Sequence, residues 1–422
     1  MSWEARVIKE TLTWLEPVAD EAAAYFYGRL FAAEPRLRAL FPPAMDVHRR
    51  RLVGALTAFA WSLGGARTGD EGGGGDQDGA EAGGGGAGGM PLEALDRLGR
   101  DHRRYGVLPE HYPAFGAALI ATLRRFGGPC WTPEAEAAWT SLYRAATEAM
   151  TAAAARDARQ QPAWRVAEVT GHERRAADLA VLTLRPDHPL PYRPGQHVHV
   201  QVARWPRIWR PYSLAGAPRP DGTLRLHVRA VPGGWVSGTL VRYTRSGDSV
   251  LLGDAHGRMV LDPASRRDLL LVAGGTGLAP LKALAERIAE SDRDRSVHLL
   301  AAARTEEDLY DLPDLRRLAA AHPGLRVVPV VGGGLRGTAP AVLADVPGLE
   351  EREVYVAGPP GMVRSTVGAL QRLGVPPARV HHELPEAELR TAPPLTSPRA
   401  CAGTPPSSRR PDRTTRSPAR PR

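Results

Sequence analysis

The spacing of apolar residues changes twice along this 422-residue chain, and each change marks a new structural unit. In residues 1–66, Trp14, Val18, Ala22, Phe26 and Leu30 recur at helical steps. The same spacing resumes at Leu92, Leu95 and Leu98, then over 115–126 and 134–155. After Gln160–Pro162 the period becomes two: His197-Val198-His199-Val200-Gln201-Val202 and Leu224-Arg225-Leu226-His227-Val228-Arg229 alternate strictly. From Asp268 onward, short apolar runs at Leu269–Ala273, Val297–Ala302, Val327–Val331 and Val354–Ala357 alternate with helical stretches, the signature of a parallel βαβ sheet. The chain therefore reads as multidomain: an all-α unit over 1–158, an antiparallel β-barrel over 163–264 and an α/β parallel-sheet unit over 265–389.

Two segments fit no core. Gly69–Gly89 holds twelve glycines and five acidic residues, so a flexible loop is expected over 67–90 inside the helical unit. Residues 390–422 are rich in Pro, Arg and Ser and are expected to be a disordered basic tail. That tail carries seven of the nine net positive charges, so the body is near neutral and basicity gives no reason to expect a nucleic-acid partner. No run of 18 apolar residues is present and no signal-peptide core is evident, so neither a membrane span nor a leader is expected. Cys130 and Cys401 are the only cysteines, which fits a reducing, cytoplasmic setting rather than a disulfide framework.

His102 follows Leu95 and Leu98 by seven and four positions, on their apolar helical face. By periodicity alone it reads as a surface or packed helical histidine rather than a metal ligand. Arg210-Pro211-Tyr212-Ser213 offers a fork-shaped cation, an aromatic face and a hydroxyl; alone it is also an ordinary strand with a turn. Gly274-Gly275-Thr276-Gly277 follows an apolar strand and opens a helix, where free amides and close backbone approach suit a pyrophosphate. It is not the GxGxxG dinucleotide fingerprint. Gly358-Pro359-Pro360-Gly361-Met362 follows the last parallel strand.

The segment His102-x-x-Tyr105-Gly106-Val107-x-Pro109-Glu110-x-Tyr112 resembles the haem-ligand region of flavohaemoglobins, a globin joined to a ferredoxin-reductase-like module. The resemblance implies His102 as the ligand of haem b, Tyr112 hydrogen-bonded beside it, and an acidic residue completing the network, counted to Arg156 or Asp157 here. Phe26-Tyr27-Gly28-Arg29-Leu30-Phe31 resembles the first distal motif, with Tyr27 turned toward dioxygen. His48 aligns where the family usually has glutamine. In the reductase half, Arg210, Tyr212 and Ser213 match the flavin motif, and Gln196 and the loop Gly233-Gly234-Trp235-Val236-Ser237 would help hold FAD. Gly274–Gly277 and Gly358–Pro359 would hold NAD(P)H. Ala357 replaces the family's cysteine before Gly358, and Leu384 replaces its C-terminal aromatic residue.

The implied activity is conversion of nitric oxide and dioxygen to nitrate, with electrons passing from NAD(P)H through FAD to haem. The alternatives are a flavin reductase serving another acceptor and a haem-based gas or redox sensor. Arg304, just past the second parallel strand, is placed to meet a ribose phosphate and is equally a solvated loop residue, so NADH and NADPH both remain open.

Overall fold

The computed structural model describes residues 3–46, 49, 52, 92–292, 294–332 and 342–384. His48, the glycine-rich segment over 67–90 and the basic tail lie outside the described residues.

The N-terminal unit is helical. α1 (Trp3–Leu15) buries Ile8, Leu12 and Leu15, and α2 (Ala19–Ala33) buries Ala22, Phe26, Tyr27 and Leu30. Ile8, Leu12 and Leu15, and likewise Ala22, Phe26 and Leu30, are spaced three or four apart, so each set forms one stripe, which Tyr27 widens on α2. α3 (Leu92–Arg103) crosses α5 (Pro133–Ala158) at Gly99, where an added Cβ would lie 2.2 Å from the Met150 carbonyl oxygen. Only glycine permits that approach. α5 starts at Thr132, whose side chain accepts from the Ala135 amide at 3.2 Å. Trp139 on α5 and Leu123 on α4 (Tyr112–Phe126) are fully buried beside Leu30. Two apolar residues depart from the expected stripes. Trp14 is 50% exposed, its ring lying over Gly128, and Leu98 is 39% exposed.

The middle unit is a six-stranded antiparallel sheet. Its strands are β1 (Arg165–Ala176), β2 (Leu179–Pro186), β3 (His197–Val202), β4 (Arg210–Ser213), β5 (Leu224–Arg229) and β6 (Ser249–His256). They lie in the order β4-β3-β6-β1-β2-β5. The edges meet through a bridge between Leu214 and Leu226. Alternation sends Val198, Val200, Leu224, Leu226 and Val228 into one core. His227, on the polar side of its strand, is nevertheless only 4% exposed, because Tyr310 of the next unit covers it at 2.8 Å.

The last unit is a parallel sheet ordered β11-β10-β7-β8-β9: β7 (Leu269–Gly274), β8 (Val297–Ala303), β9 (Leu325–Val331), β10 (Glu353–Ala357) and β11 (Val380–His381). α6 (Trp235–Arg242) belongs to the middle unit; α7 (Leu278–Ser291), α8 (Leu312–Ala321) and α9 (Pro360–Arg372) serve the parallel sheet. β7 is buried along its whole length, as a strand covered on both faces must be.

Lys282 of α7 is 3% exposed and donates to Asp311 at 2.6 Å and Asp314 at 3.4 Å. Burial pushes the Asp311 carboxyl up despite the ammonium beside it. Lys282→Met strands Asp311 in the interior and is expected to cost about 3–5 kcal/mol in chemical denaturation. Adding Asp311→Leu should recover most of that loss; a single variant as stable as wild type would show that the pair is not ionised.

Candidate functional site

His102 stands in the last turn of α3, and its Nδ1 lies 3.2 Å from the Tyr112 hydroxyl at the start of α4. Burial depresses the imidazole to about 4, so the ring is neutral, the form that ligates a metal. With Nε2 on a metal, Nδ1 carries the proton and donates to Tyr112, which fixes the ring's orientation. Burial holds the Tyr112 hydroxyl up at about 12, so it stays protonated. The Tyr143 hydroxyl donates to the Tyr112 carbonyl at 2.7 Å and fixes the turn that carries it. These features fit a haem held by one histidine.

The two residues counted for the acidic third member have other partners. Asp157 binds Arg103 and accepts from Gln161 Nε2 at 2.7 Å, and Arg156 pairs with Asp96 at 3.0 Å. Both stand in the last turns of α5. Tyr143, which meets Tyr112, lies 14 residues earlier. At 1.5 Å per residue that separates them by about 21 Å along the helix.

Tyr27 is 7% exposed, and burial raises its hydroxyl to about 12, so it remains a donor at any working pH. Its ring meets Phe26 at 5.0 Å, Phe41 at 5.5 Å and Phe31 at 5.9 Å. Phe41 also reaches Phe115 on α4 at 6.1 Å. Sequence reasoning passed over Phe41; its signal is an aromatic residue directly after the turn Pro35–Leu40 and before two prolines.

In the middle unit, Arg210 is exposed and among the described residues donates to its neighbour's carbonyl at 2.9 Å, which leaves most of the guanidinium for a ligand. Tyr212 is half-buried against the sheet core, and burial pushes its hydroxyl up. The Gln196 carbonyl accepts from Leu214 N at 3.0 Å, which brings Gln196 beside Ser213. The turn before it needs Gly195: φ is 94°, and a Cβ would lie 1.8 Å from the Met259 carbonyl oxygen. Gly234 caps α6 and Ser237 Oγ accepts from Val231 N at 3.3 Å, closing the loop. Trp205, also unmarked in the sequence, stacks on Trp235 at 4.8 Å.

The two nicotinamide elements, 80 residues apart in sequence, meet because β7 and β10 are neighbours, with Ala273 opposite Ala357. A Cβ at Gly277 would lie 2.4 Å from the Ala357 carbonyl, and one at Gly274 would lie 2.4 Å from Met362 Sδ. Gly275 has φ 54° and turns the chain, with Thr276, into α7. Gly358 and Pro359 lead into α9. Two helix N-termini therefore open at one sheet edge, an arrangement suited to a pyrophosphate.

Comparison with known proteins agrees with this layout. The globin family profile matches residues 86–150, the oxidoreductase FAD-binding domain 167–260 and the oxidoreductase NAD-binding domain 271–368. A flavohemoprotein of Rhodopirellula baltica is 26% identical over 91% of this chain and 98% of its own length. The crystal structure of flavohemoglobin from Malassezia yamatoensis with bound FAD and heme superposes with TM-score 0.68 over 91% of this chain and 99% of its own, at 19% identity. The reductase half is 34% identical to the ferredoxin–NAD(P)+ reductase component of a naphthalene dioxygenase/salicylate hydroxylase system from Ralstonia. That match covers 50% of this chain and 66% of the relative's length. A globin ahead of FAD-binding and NAD-binding domains defines an oxidoreductase of mixed haem and flavin type. Over nine tenths of its length the chain is similar to flavohaemoproteins, in sequence and in domain order.

Gly277→Ala forces β7 and β10 apart at the nicotinamide edge. Flavin reduction by NAD(P)H should slow on the order of tenfold to hundredfold, while haem and FAD contents stay at wild-type levels. Stopped-flow absorbance at the flavin band reads it, and an unchanged rate would place the nicotinamide elsewhere.

Proposed function

We propose that the chain is a nitric oxide dioxygenase driven by NAD(P)H. For each NAD(P)H, two nitric oxide and two dioxygen molecules give two nitrate ions, NAD(P)+ and one proton. When bound, haem b supplies a redox-active iron for dioxygen, and FAD takes a hydride as an electron pair and passes electrons on singly. His102 would hold the iron through Nε2, with Tyr112 fixing the ring. Tyr27, protonated throughout the working range, would donate to dioxygen. His48 remains a second candidate donor by sequence. Arg210 would pair with the flavin pyrophosphate, Tyr212 and Ser213 would flank the ring, and Gln196, Gly234 and Ser237 would shape the loops around it. Gly274–Gly277 and Gly358–Pro359 would seat the nicotinamide coenzyme.

The observation that carries this reading is the direct contact between the two halves. Asp101, next to His102, lies 3.6 Å from His256 at the end of β6. Arg207 reaches from the flavin unit to the carbonyls of Ala39 at 3.2 Å and Tyr105 at 3.1 Å. A helix that carries an iron ligand and is packed on a flavin sheet is placed to receive electrons. A second reading, a reductase serving a separate acceptor, is favoured by the resemblance of the reductase half to a ferredoxin reductase component. An ultraviolet–visible spectrum before and after NADH under carbon monoxide separates the two, followed by nitrate assay. A retained flavin with no Soret band supports the second reading.

Two variants test the residue roles. His102→Ala should remove the haem while FAD content and NADH-driven reduction of an artificial acceptor persist. Tyr27→Phe removes a buried donor to a partly charged oxygen, worth roughly 1.5–3 kcal/mol. Oxygen should then leave the ferrous protein about tenfold to hundredfold faster. An unchanged rate makes His48 the leading donor.

A further inference from the structure

One face of the flavin sheet carries three histidines that the reaction above does not use. His197 on β3 is paired in register with Ser213 on β4 and with His256 on β6. Residues directly opposite in an antiparallel sheet share a face, so Ser213, His197 and His256 form one row across three strands. His199, two residues from His197, closes a triangle whose ring centroids are 5.7, 5.8 and 6.3 Å apart. Such gaps can be spanned by one bridging water. The row ends at the globin: His256 Nε2 lies 3.6 Å from Asp101 Oδ1. At its middle, Glu383 Oε1 lies 3.6 Å from His197 Nδ1. His256 and Glu383 are 30% and 42% exposed, so the row reaches solvent.

We propose that His197 and His256 form a proton relay that leads from Ser213, at the flavin edge, to solvent at the boundary with the haem helix. The proposal rests on the electron route from FAD to haem proposed above. Reoxidation of the two-electron-reduced flavin anion by two single-electron transfers leaves FAD and one proton, formerly on N5. Iron takes only the electrons, so that proton must depart once per NAD(P)H. Ser213 accepts it and passes its own hydroxyl proton to His197. His197 passes one to His256, which releases one to water. Each imidazole gains a proton at one nitrogen and loses one at the other, which leaves it as the opposite tautomer; rotation of the ring or proton exchange with water resets the row before the next NAD(P)H.

The surroundings suit this task. Asp101 from the haem helix, Asp254 on the same strand and Glu383 from the C-terminal segment stabilise a transient imidazolium. Arg104, His197 and His199 stand on the opposing side of the balance. For His256 the outcome is a shift below the ordinary histidine value. Burial is the largest cause; Arg104 and His197 add to it, and Asp101 and Asp254 oppose it. His256 is therefore neutral near neutral pH and ready to accept. The relay works above its titration and is lost as pH falls through it.

The test mixes the haem- and FAD-loaded full-length protein anaerobically with NADH in a stopped-flow instrument. Flavin reduction is followed first, then haem reduction trapped by carbon monoxide. The wild-type haem phase should accelerate as pH rises through the His256 titration, which lies below the ordinary histidine value, and should slow about twofold to threefold in D2O. In His256→Gln and His197→Gln the ratio of haem-phase to flavin-phase rates should fall about tenfold, with the pH dependence gone. A second readout needs no turnover: in protein labelled with 13C at histidine Cε1, His197→Gln should shift the His256 titration upward, because a positive neighbour is gone. Haem that stays oxidised in the wild type overturns the electron route and the relay with it. A haem phase that proceeds without pH dependence or isotope effect overturns the relay alone, as does an unmoved His256 titration together with unchanged rates in both variants.

Discussion

The geometry of the molecule depends on one charged network at the end of the long helix α5. Arg103, the last residue of α3, binds Asp157 and donates to the Gln161 carbonyl at 2.8 Å. Gln161 Nε2 also reaches Asp254 of β6 at 3.2 Å, and Arg165 of β1, 2% exposed, binds Asp254 at 2.8 Å and the Pro189 carbonyl at 2.9 Å. These groups join α3, α5 and two sheet strands. A buried guanidinium is tolerable only when its donors are satisfied, so the partners are held in one arrangement. The helix that carries His102 is thereby set against β6.

That placement governs the chemistry. The iron ligand candidate, the flavin motif and the histidine row become neighbours because one helix end and one strand end are fixed together. Arg207 adds a second fastening, and it is the single non-glycine residue with positive φ among the described residues, at 65°. A backbone held in that region costs free energy and persists where surrounding contacts over-determine it. Here those contacts are the two globin carbonyls and the Gln201 side chain, which accepts from Arg207 N at 2.6 Å.

The nicotinamide edge is organised on a different principle. Among the described residues no ion pair joins its two loops; backbone meets backbone where side chains are missing, at Gly277 against Ala357 and Gly358 against Gly274. Behind it, Tyr310 meets His227 of the flavin sheet, and Asp308 meets Arg229 at 3.3 Å, so the loop after β8 is tied to the neighbouring unit. Burial keeps His227 well below the ordinary histidine range, hence neutral, which suits a hydrogen bond to a phenol rather than a charge.

Local pattern was enough for the elements and for several site residues. Helical, alternating and βαβ spacings are properties of the chain itself, and they place strands at 197–202, 224–229 and 269–273, the last extended by one residue in the structure. His102 and Tyr112 lie ten residues apart across one short turn, and GGTG directly follows its strand, so both stand out as candidates in the sequence. What depends on long-range packing was not. Counting puts the acidic member at Arg156 or Asp157, yet packing pairs Arg156 with Asp96 and draws Asp157 into the inter-unit network. His227 falls on a polar face by alternation and is buried by a residue 83 positions away. The histidine row exists only because strand register sets His197 between Ser213 and His256. Sequence determined which residues share a strand or a helix face, because those periods are local geometry. Tertiary structure alone decided which faces meet, because contact between distant segments follows from packing and not from spacing.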